Sequence, residues 1–390
     1  MSELNPVRVK IAVTGGGSGG HTSAAVGIAE ALLARGIKRE NILWIGSHVG
    51  VEQKVSDSAR IAFKAIAVGK FRRYWSIDNL LDIPRVFIGL VQSLRILFHH
   101  SPSVVISTGG FVSVPVVVAA YILRIPIIAH EQTIVPGLAN RIAGRLASLV
   151  IVSHEKAALH FQERKTVIIG NPLRAELRNG LPTRADSVQR LRLDSALPVL
   201  YVTGGAQGAN ALNKVVGEAL PELLEKWQVI HQSGGGKMEY GFTELTELAS
   251  KLDPKLLHNY RIMPYVGREI VDVLSVADAV LSRSGAAIVN EIIRLGLPSV
   301  LVPYPQSIGD EQRHLARALE EAGAAMVLEQ SALTKDVLLS TLYQLGPAER
   351  DAMRLRLRSL ARDNVEEELA GAVLEMIGDA EMEAAHSATA

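Results

Sequence analysis

The chain has 390 residues, which at about 150 residues per domain implies two or three domains. Apolar residues make up 48% and charged residues 21%, enough to fill cores and too apolar for an intrinsically disordered chain. The 41 Lys+Arg against 40 Asp+Glu leave +1, which argues against nucleic-acid binding through bulk charge, and the absence of cysteine excludes disulfides, thiolate zinc sites and cysteine nucleophiles.

In chain order, short β-branched runs alternate with longer helical patterns, the signature of parallel βαβ units. A strand is predicted over 7–14, a tight glycine loop over 15–20, and a helix over 22–34 that Gly36 ends. No secretory leader is expected ahead of that strand, so the cytoplasm is the expected compartment. Further strands of the first half are expected at 42–45, 104–107, 127–129, 150–152 and 167–169. The uncharged stretch 101–123 has the length of a membrane span. Pro102, Gly109, Gly110 and Pro115 suit strand, turn and helix better, so it is read as soluble core. Gly170-Asn171-Pro172 halts the pattern, which restarts after the polar stretch 178–192 with a strand at 199–203 and another glycine loop. Strands follow at 229–231, 261–263, 280–282 and 300–302. Both halves open with strand, glycine loop and helix. The predicted fold class is therefore α/β, with two Rossmann-like doubly wound domains facing each other across a cleft. Domains are predicted at 1–172 and 173–347, with helices over 348–378 packing back toward the N-terminal domain and 379–390 a disordered tail.

Gly15-Gly16-Gly17-Ser18-Gly19-Gly20-His21 contains G-x-G-x-x-G, a turn that brings backbone N–H groups and a helix start to an anion. A nicotinamide site would add an acidic residue at the end of the second strand, but that strand ends Trp44-Ile45-Gly46-Ser47, and no Gly-Lys-Ser/Thr follows for a Walker loop. A turn serving close packing alone is the alternative. Gly109-Gly110-Phe111-Val112-Ser113 and Gly204-Gly205-Ala206-Gln207-Gly208 also follow strands. Three such loops suit phosphorylated material bound from both sides of a cleft. Ser282-Arg283-Ser284-Gly285-Ala286 leads into a helix carrying Glu291. Its start suits a diphosphate, and Glu291 suits either a sugar diol or plain solvent. In Asp310-Glu311-Gln312, Asp310 is a cleft-edge group or an N-cap, and Gln312 suits a sugar hydroxyl. His21 suits a general base, a contact to a bound hydroxyl or phosphate, or a helix-entry packing residue. His130-Glu131-Gln132, ahead of Pro136-Gly137, suits buried polar anchoring of that loop.

In this joint order, and with Gly170-Asn171-Pro172-Leu173-Arg174, these motifs resemble the MurG-type glycosyltransferases of family 28 from residue 9 to about residue 330. That family has the GT-B fold and transfers N-acetylglucosamine from UDP-GlcNAc to undecaprenyl-diphosphate-MurNAc-pentapeptide (lipid I), giving lipid II. The resemblance implies an inverting transfer needing no metal or other cofactor. It implies an acceptor- and membrane-facing first domain and a UDP-sugar-binding second domain. Arg174 and the loop at Ala206 and Gln207 would meet the donor diphosphate, with the helix start at Ala286 and Ala287. The backbone at Val266 would read the uracil edge, Glu291 would hold the ribose hydroxyls and Gln312 would contact the sugar. Ser18, Gly19 and Gly20, together with Thr133, would complete the donor site. Gly109, Gly110, Phe111, His130, Glu131 and Gln132 would receive the acceptor, with His21 near it as the best candidate for the catalytic base.

The chain departs from the family where Ser18 replaces the usual Thr, Thr133 an Asn, Ala206 a Ser, and Leu315 the Asn that follows the Gln312 region. Ser18 keeps the hydroxyl; the other three lose polar groups, at about 0.5–1.5 kcal/mol per hydrogen bond used. Three alternatives stay open: a GT-B transferase for another glycolipid or natural-product acceptor, a UDP-sugar epimerase, which shares the fold, and a non-catalytic UDP-sugar-binding protein, which the changes at Thr133, Ala206 and Leu315 motivate. Between 60 and 100, Arg60, Lys64, Lys70, Arg72, Arg73, Arg85 and Arg95 stand against Asp78 and Asp82, interleaved with aromatic and aliphatic residues. Such a stretch suits a peripheral contact with anionic lipid, while 86–98 suits a buried core helix equally. The membrane-bound acceptor of the family assigns the contact to Lys70, Phe71, Arg72, Arg73, Trp75 and Leu80, at the cytoplasmic face of the cell membrane. The expected partners are UDP-GlcNAc, an undecaprenyl-linked lipid and an anionic membrane surface, with no nucleic acid.

Overall fold

The apolar runs of the first half assemble as β1 (Ile11–Thr14), β2 (Ile42–Ser47), β3 (Ala62–Ile66), β4 (Val104–Ser107), β5 (Ile127–Glu131), β6 (Leu149–Val152) and β7 (Thr166–Ile168). The structure is a computed structural model that describes residues 9–17, 19–48, 51–69, 77–178, 180–194, 196–236 and 238–389. These strands form one parallel sheet in the order β3-β2-β1-β4-β5-β6-β7. Both of its faces are covered, which is why its central strands read as continuous apolar runs. Ile11, Val13, Trp44 and Ile106 pack with the helices Gly19–Ala34 and Val365–Thr389. Ala12, Ile45 and Val105 pack with the helices Ile77–His100, Ser113–Ile122 and Leu138–Leu146. The stretch 101–123 is thus strand, turn and helix, and among the described residues no helix is long and apolar enough to cross a membrane.

The second half builds β8 (Val199–Thr203), β9 (Gln228–Gln232), β10 (Tyr260–Met263), β11 (Ala279–Ser282), β12 (Ser299–Leu301) and β13 (Met326–Val327). They too are parallel, in the order β10-β9-β8-β11-β12-β13, over a core shared with the helices Asn210–Leu224 and Lys335–Gln344. In each sheet the winding direction reverses beside its first strand, between β1 and β4 and between β8 and β11. Ligands of doubly wound sheets bind at that reversal, outside the carboxyl ends of the strands.

The chain divides into one unit of Met1–Ala175 with Arg362–Ala390 and a second of Glu176–Ala361. The expected C-terminal segment is therefore shared out. Helix Pro347–Leu360 buries Met353 in the second unit, and helix Val365–Thr389 belongs to the first. The latter buries Val365, Leu369, Val373 and Ile377, one per helical turn, against the first sheet. It continues in helical conformation through Thr389, over the stretch expected to be a disordered tail. Strands β3 and β13 were not predicted. β3 alternates half-exposed and exposed positions, and β13 has 2 residues, so neither has a buried apolar run to announce it.

Candidate active site

At the reversal of the first sheet, β1 and β4 end side by side, and each runs into a glycine turn. Gly16 N–H donates to the Gly109 carbonyl at 3.1 Å, tying the turns together. Gly110 has φ +83°, and a Cβ there would collide with the Gly16 carbonyl, so only glycine permits this approach. His21, in the first turn of helix Gly19–Ala34, has its Nδ1 2.7 Å from the Thr108 carbonyl oxygen. Thr108 Oγ1 donates back to the His21 carbonyl at 2.8 Å, and Gln132 Nε2 donates to the Thr108 carbonyl at 3.0 Å. A carbonyl only accepts, so Nδ1 carries the proton and Nε2 of the neutral ring keeps its lone pair. Desolvation holds the His21 pKa below 6.5, against the upward pull of the Glu131 charge and the Thr108 bond. A neutral, partly exposed imidazole with an unprotonated Nε2 has the lone pair that general-base catalysis needs.

The neighbouring polar groups are anchors. His130 Nε2 donates to the Gly170 carbonyl at 2.9 Å, and burial lowers its pKa to about 4, so it is neutral at pH 7. Glu131 is buried, with Oε1 2.7 Å from Thr133 Oγ1 and Oε2 accepting from Asn140 Nδ2 at 2.8 Å. Glu52, wholly buried, accepts the Gly17 N–H at 2.7 Å. Neither Asn140 nor Glu52 was singled out by the sequence. Each is a lone polar residue whose partner is distant in the chain, and no local spacing marks it.

In the second unit, β8 and β11 end together at the second reversal. The loop after β8 is pinned by Gly205 N–H to Thr203 Oγ1 and by Gly208 N–H to the Gly205 carbonyl, both at 3.0 Å. The turn after β9 is zipped to it, with Gly235 N–H on the Ala206 carbonyl at 2.9 Å and Gly236 N–H on the Gln207 carbonyl at 3.3 Å. That leaves the Ala206 and Gln207 side chains exposed. After β11, Arg283 is buried and donates to the Val302 and Pro303 carbonyls and to Gln330 Oε1, with Tyr304 stacked 5.4 Å away. Burial lowers its pKa to about 10, and it stays cationic at neutral pH. Gly285 then opens helix Ala286–Leu295 with no side-chain cap, leaving the first helical N–H groups to an anion. Ser284 Oγ donates to the Gln312 carbonyl at 2.7 Å, and Tyr304 N–H donates to Gln312 Oε1 at 3.0 Å.

The structure gathers the first-unit predictions His21, Gly109, Gly110, Phe111 and Gln132 around Thr108, with the Phe111 ring lying against Gly17. Gly19 and Gly20 begin the His21 helix, while Ser18 lies outside the described residues. Glu291 is 2% exposed, so the reading of it as a solvated glutamate is overturned. Val266 N–H is committed to Gln232 Oε1 at 3.0 Å, which leaves the carbonyl as the backbone group for a base edge. Thr133 turns its hydroxyl inward on Glu131 and Val135. Arg174 belongs to the first unit, and Ala206, Ala287 and Gln312 belong to the second. Leu315 is 1% exposed, a core position where an apolar residue needs no polar compensation. Lys70, Phe71, Arg72, Arg73 and Trp75 lie outside the described residues, and Leu80 is described only as part of helix Ile77–His100. Among the described residues no group of three or more His, Asp or Glu is placed to hold a metal ion.

The model of the glycosyltransferase family 28 N-terminal domain matches residues 11–152, and that of the family 28 C-terminal domain matches residues 199–367. The UDP-N-acetylglucosamine--N-acetylmuramyl-(pentapeptide) pyrophosphoryl-undecaprenol N-acetylglucosamine transferase of Treponema denticola is 36% identical over 365 residues, covering 90% of this chain and 92% of that one. The transferase 3 of the same name from Bacillus thuringiensis (strain Al Hakam) is 36% identical over 341 residues, 86% of this chain and 91% of its own. The crystal structure of Acinetobacter baumannii MurG matches with a TM-score of 0.71 at 23% identity, covering 94% of this chain and 99% of that one. A UDP-GlcNAc 2-epimerase from Neisseria meningitidis matches at 0.63 with 13% identity, covering 94% and 100%. The two solved structures share the GT-B fold while differing in chemistry, so fold alone does not choose between them. Sequence identity does choose, and the chain belongs to glycosyltransferase family 28, among its MurG-type N-acetylglucosamine transferases.

Proposed function

We propose that the protein transfers N-acetylglucosamine from UDP-GlcNAc to undecaprenyl-diphosphate-MurNAc-pentapeptide and so makes lipid II for peptidoglycan synthesis. The observation that carries this is the 36% identity, over 90% of the chain, to a transferase named for that donor and acceptor. The acceptor hydroxyl oxygen attacks the anomeric carbon from the side opposite UDP, which inverts that centre. The bond to the UDP oxygen breaks, UDP leaves with the electron pair, and His21 Nε2 takes the hydroxyl proton. The N–H groups at Ala286 and Ala287 and the Arg174 guanidinium meet the charge that builds on the departing diphosphate. Glu291 holds the ribose hydroxyls, the Val266 carbonyl accepts from the uracil, and Gln312 contacts the sugar. Gly109, Gly110, Phe111 and Gln132, backed by His130 and Glu131, receive the acceptor. No metal or other cofactor takes part.

A membrane-bound lipid acceptor calls for a protein that works peripherally at the cytoplasmic face of the membrane. Helix Ile77–His100 supports this, because Phe87 and Phe98 are 66% and 71% exposed and, with Ile88, Val91 and Arg95, form one outward stripe. The reading is tested by UDP release from UDP-GlcNAc with and without a soluble lipid I analogue, with the product weighed by mass spectrometry. Acceptor-dependent release and a product heavier by one N-acetylhexosamine are expected. Turnover of UDP-GlcNAc without acceptor would replace the reading with an epimerase. Donor binding with no release would move it to another acceptor or to a non-catalytic protein.

A further inference from the structure

The first glycine turn already holds a carboxyl side chain. Gly17 N–H donates to Glu52 Oε1 at 2.7 Å, and Glu52, in the first turn of helix Glu52–Ser58, is wholly buried. Its Oε2 is buried as well and has no hydrogen-bond partner among the described residues. Two glycines make room for this side chain. A Cβ on Gly16 would collide with the carboxylate, and a Cβ on Gly46 would crowd Glu52 Cβ and the Phe63 ring. Gly17 stands at φ +81°, where a Cβ would also press on the Phe111 ring. Removing a carboxylate from water with one oxygen left unpaired is costly, and the bond to Gly17 is what it secures. The Gly16 amide is occupied too, by the Gly109 carbonyl at 3.1 Å. A phosphate brought to the Gly17 amide would meet a buried carboxylate already at hydrogen-bond distance from that nitrogen.

We infer that Glu52 is a positioning residue whose side-chain oxygen fills this turn, fixes the path from β1 into the His21 helix and keeps substrate phosphate off the Gly17 amide. For its kinetic consequence the inference rests on the transferase reading above. The diphosphate of the acceptor is then held by groups other than the Gly16 and Gly17 amides, and the turn serves to aim His21.

The test uses the full chain as wild type, Glu52→Gln and Glu52→Ala, with donor affinity from calorimetry and kcat and acceptor KM from UDP release. Gln keeps an oxygen for Gly17 N–H and Ala does not. Glu52→Ala should lose about tenfold to hundredfold in kcat with donor affinity unchanged, while Glu52→Gln stays within about threefold of wild type. An Ala variant with wild-type kcat, or a loss carried by donor affinity alone, would overturn the inference. A second arm needs neither turnover nor a substitution. The Gly17 amide resonance of 15N-labelled wild type should stay in place on titration with inorganic pyrophosphate, and a saturable shift there would overturn the inference. If wild type fails to transfer, the functional reading fails and the resonance measurement still decides the role of Glu52.

Discussion

At the scale of single residues, the Thr108 carbonyl settles the protonation of the candidate base. It accepts the hydrogen bond of His21 Nδ1–H, and burial keeps the ring neutral, so Nε2 is left to accept. Replacing His21 with Gln should lower kcat by about a hundredfold to ten-thousandfold, the span for general-base catalysis, with UDP-GlcNAc affinity unchanged. Protonation silences the base, so kcat/KM should rise with pH through a midpoint below the ordinary 6.5 and level off toward neutrality. A midpoint above 6.5 would assign the proton transfer to another group. The glycines, His21 and Glu291 are legible in the chain because each sits at a set offset from a strand end. Glu52 is not, because its hydrogen bond spans 35 positions and depends on the packing of a second strand. Leu315 shows the converse. It stands out in the sequence as a lost amide, and in the fold it is an ordinary core residue.

At the scale of elements, helix Ile77–His100 fits both readings of its pattern. Leu97 and Ser93 point into the unit, while Phe87, Ile88, Val91 and Phe98 are exposed. Its outer face is mixed, with these apolar side chains standing among exposed Arg85, Arg95 and His99. Phe87→Ser with Phe98→Ser should reduce cosedimentation with phosphatidylglycerol vesicles while moving stability by no more than about 0.5 kcal/mol per site, as surface changes usually do. Unchanged cosedimentation would remove this helix from the membrane contact. Most strands are legible from their β-branched runs, whereas β3 and β13 become strands only because a neighbouring strand supplies their hydrogen bonds.

At the scale of the whole molecule, the chain leaves the first unit after Ala175 and returns to it at Arg362. The returning helix buries Val365, Leu369, Val373 and Ile377, each contributing about 1.5–3 kcal/mol by area removed from water. The sum is comparable to the whole stability of a domain, about 5–15 kcal/mol. Ending the chain at Ala361 should therefore abolish the calorimetric transition of the first unit and expose residues 1–175 to rapid proteolysis, while the second unit keeps its own transition. An unaltered thermogram would show that the first core does not need the helix. The sequence by itself determined two α/β halves, their glycine turns at strand ends, and the family, because periodicity, turn chemistry and motif order are local properties. Only the tertiary structure decided which amides those turns keep for themselves, that Glu291 is buried, that Gln232 takes the Val266 N–H, and which unit owns each C-terminal helix. Those depend on residues far apart in sequence meeting across a sheet, where burial and hydrogen-bond geometry exist only once the chain has folded.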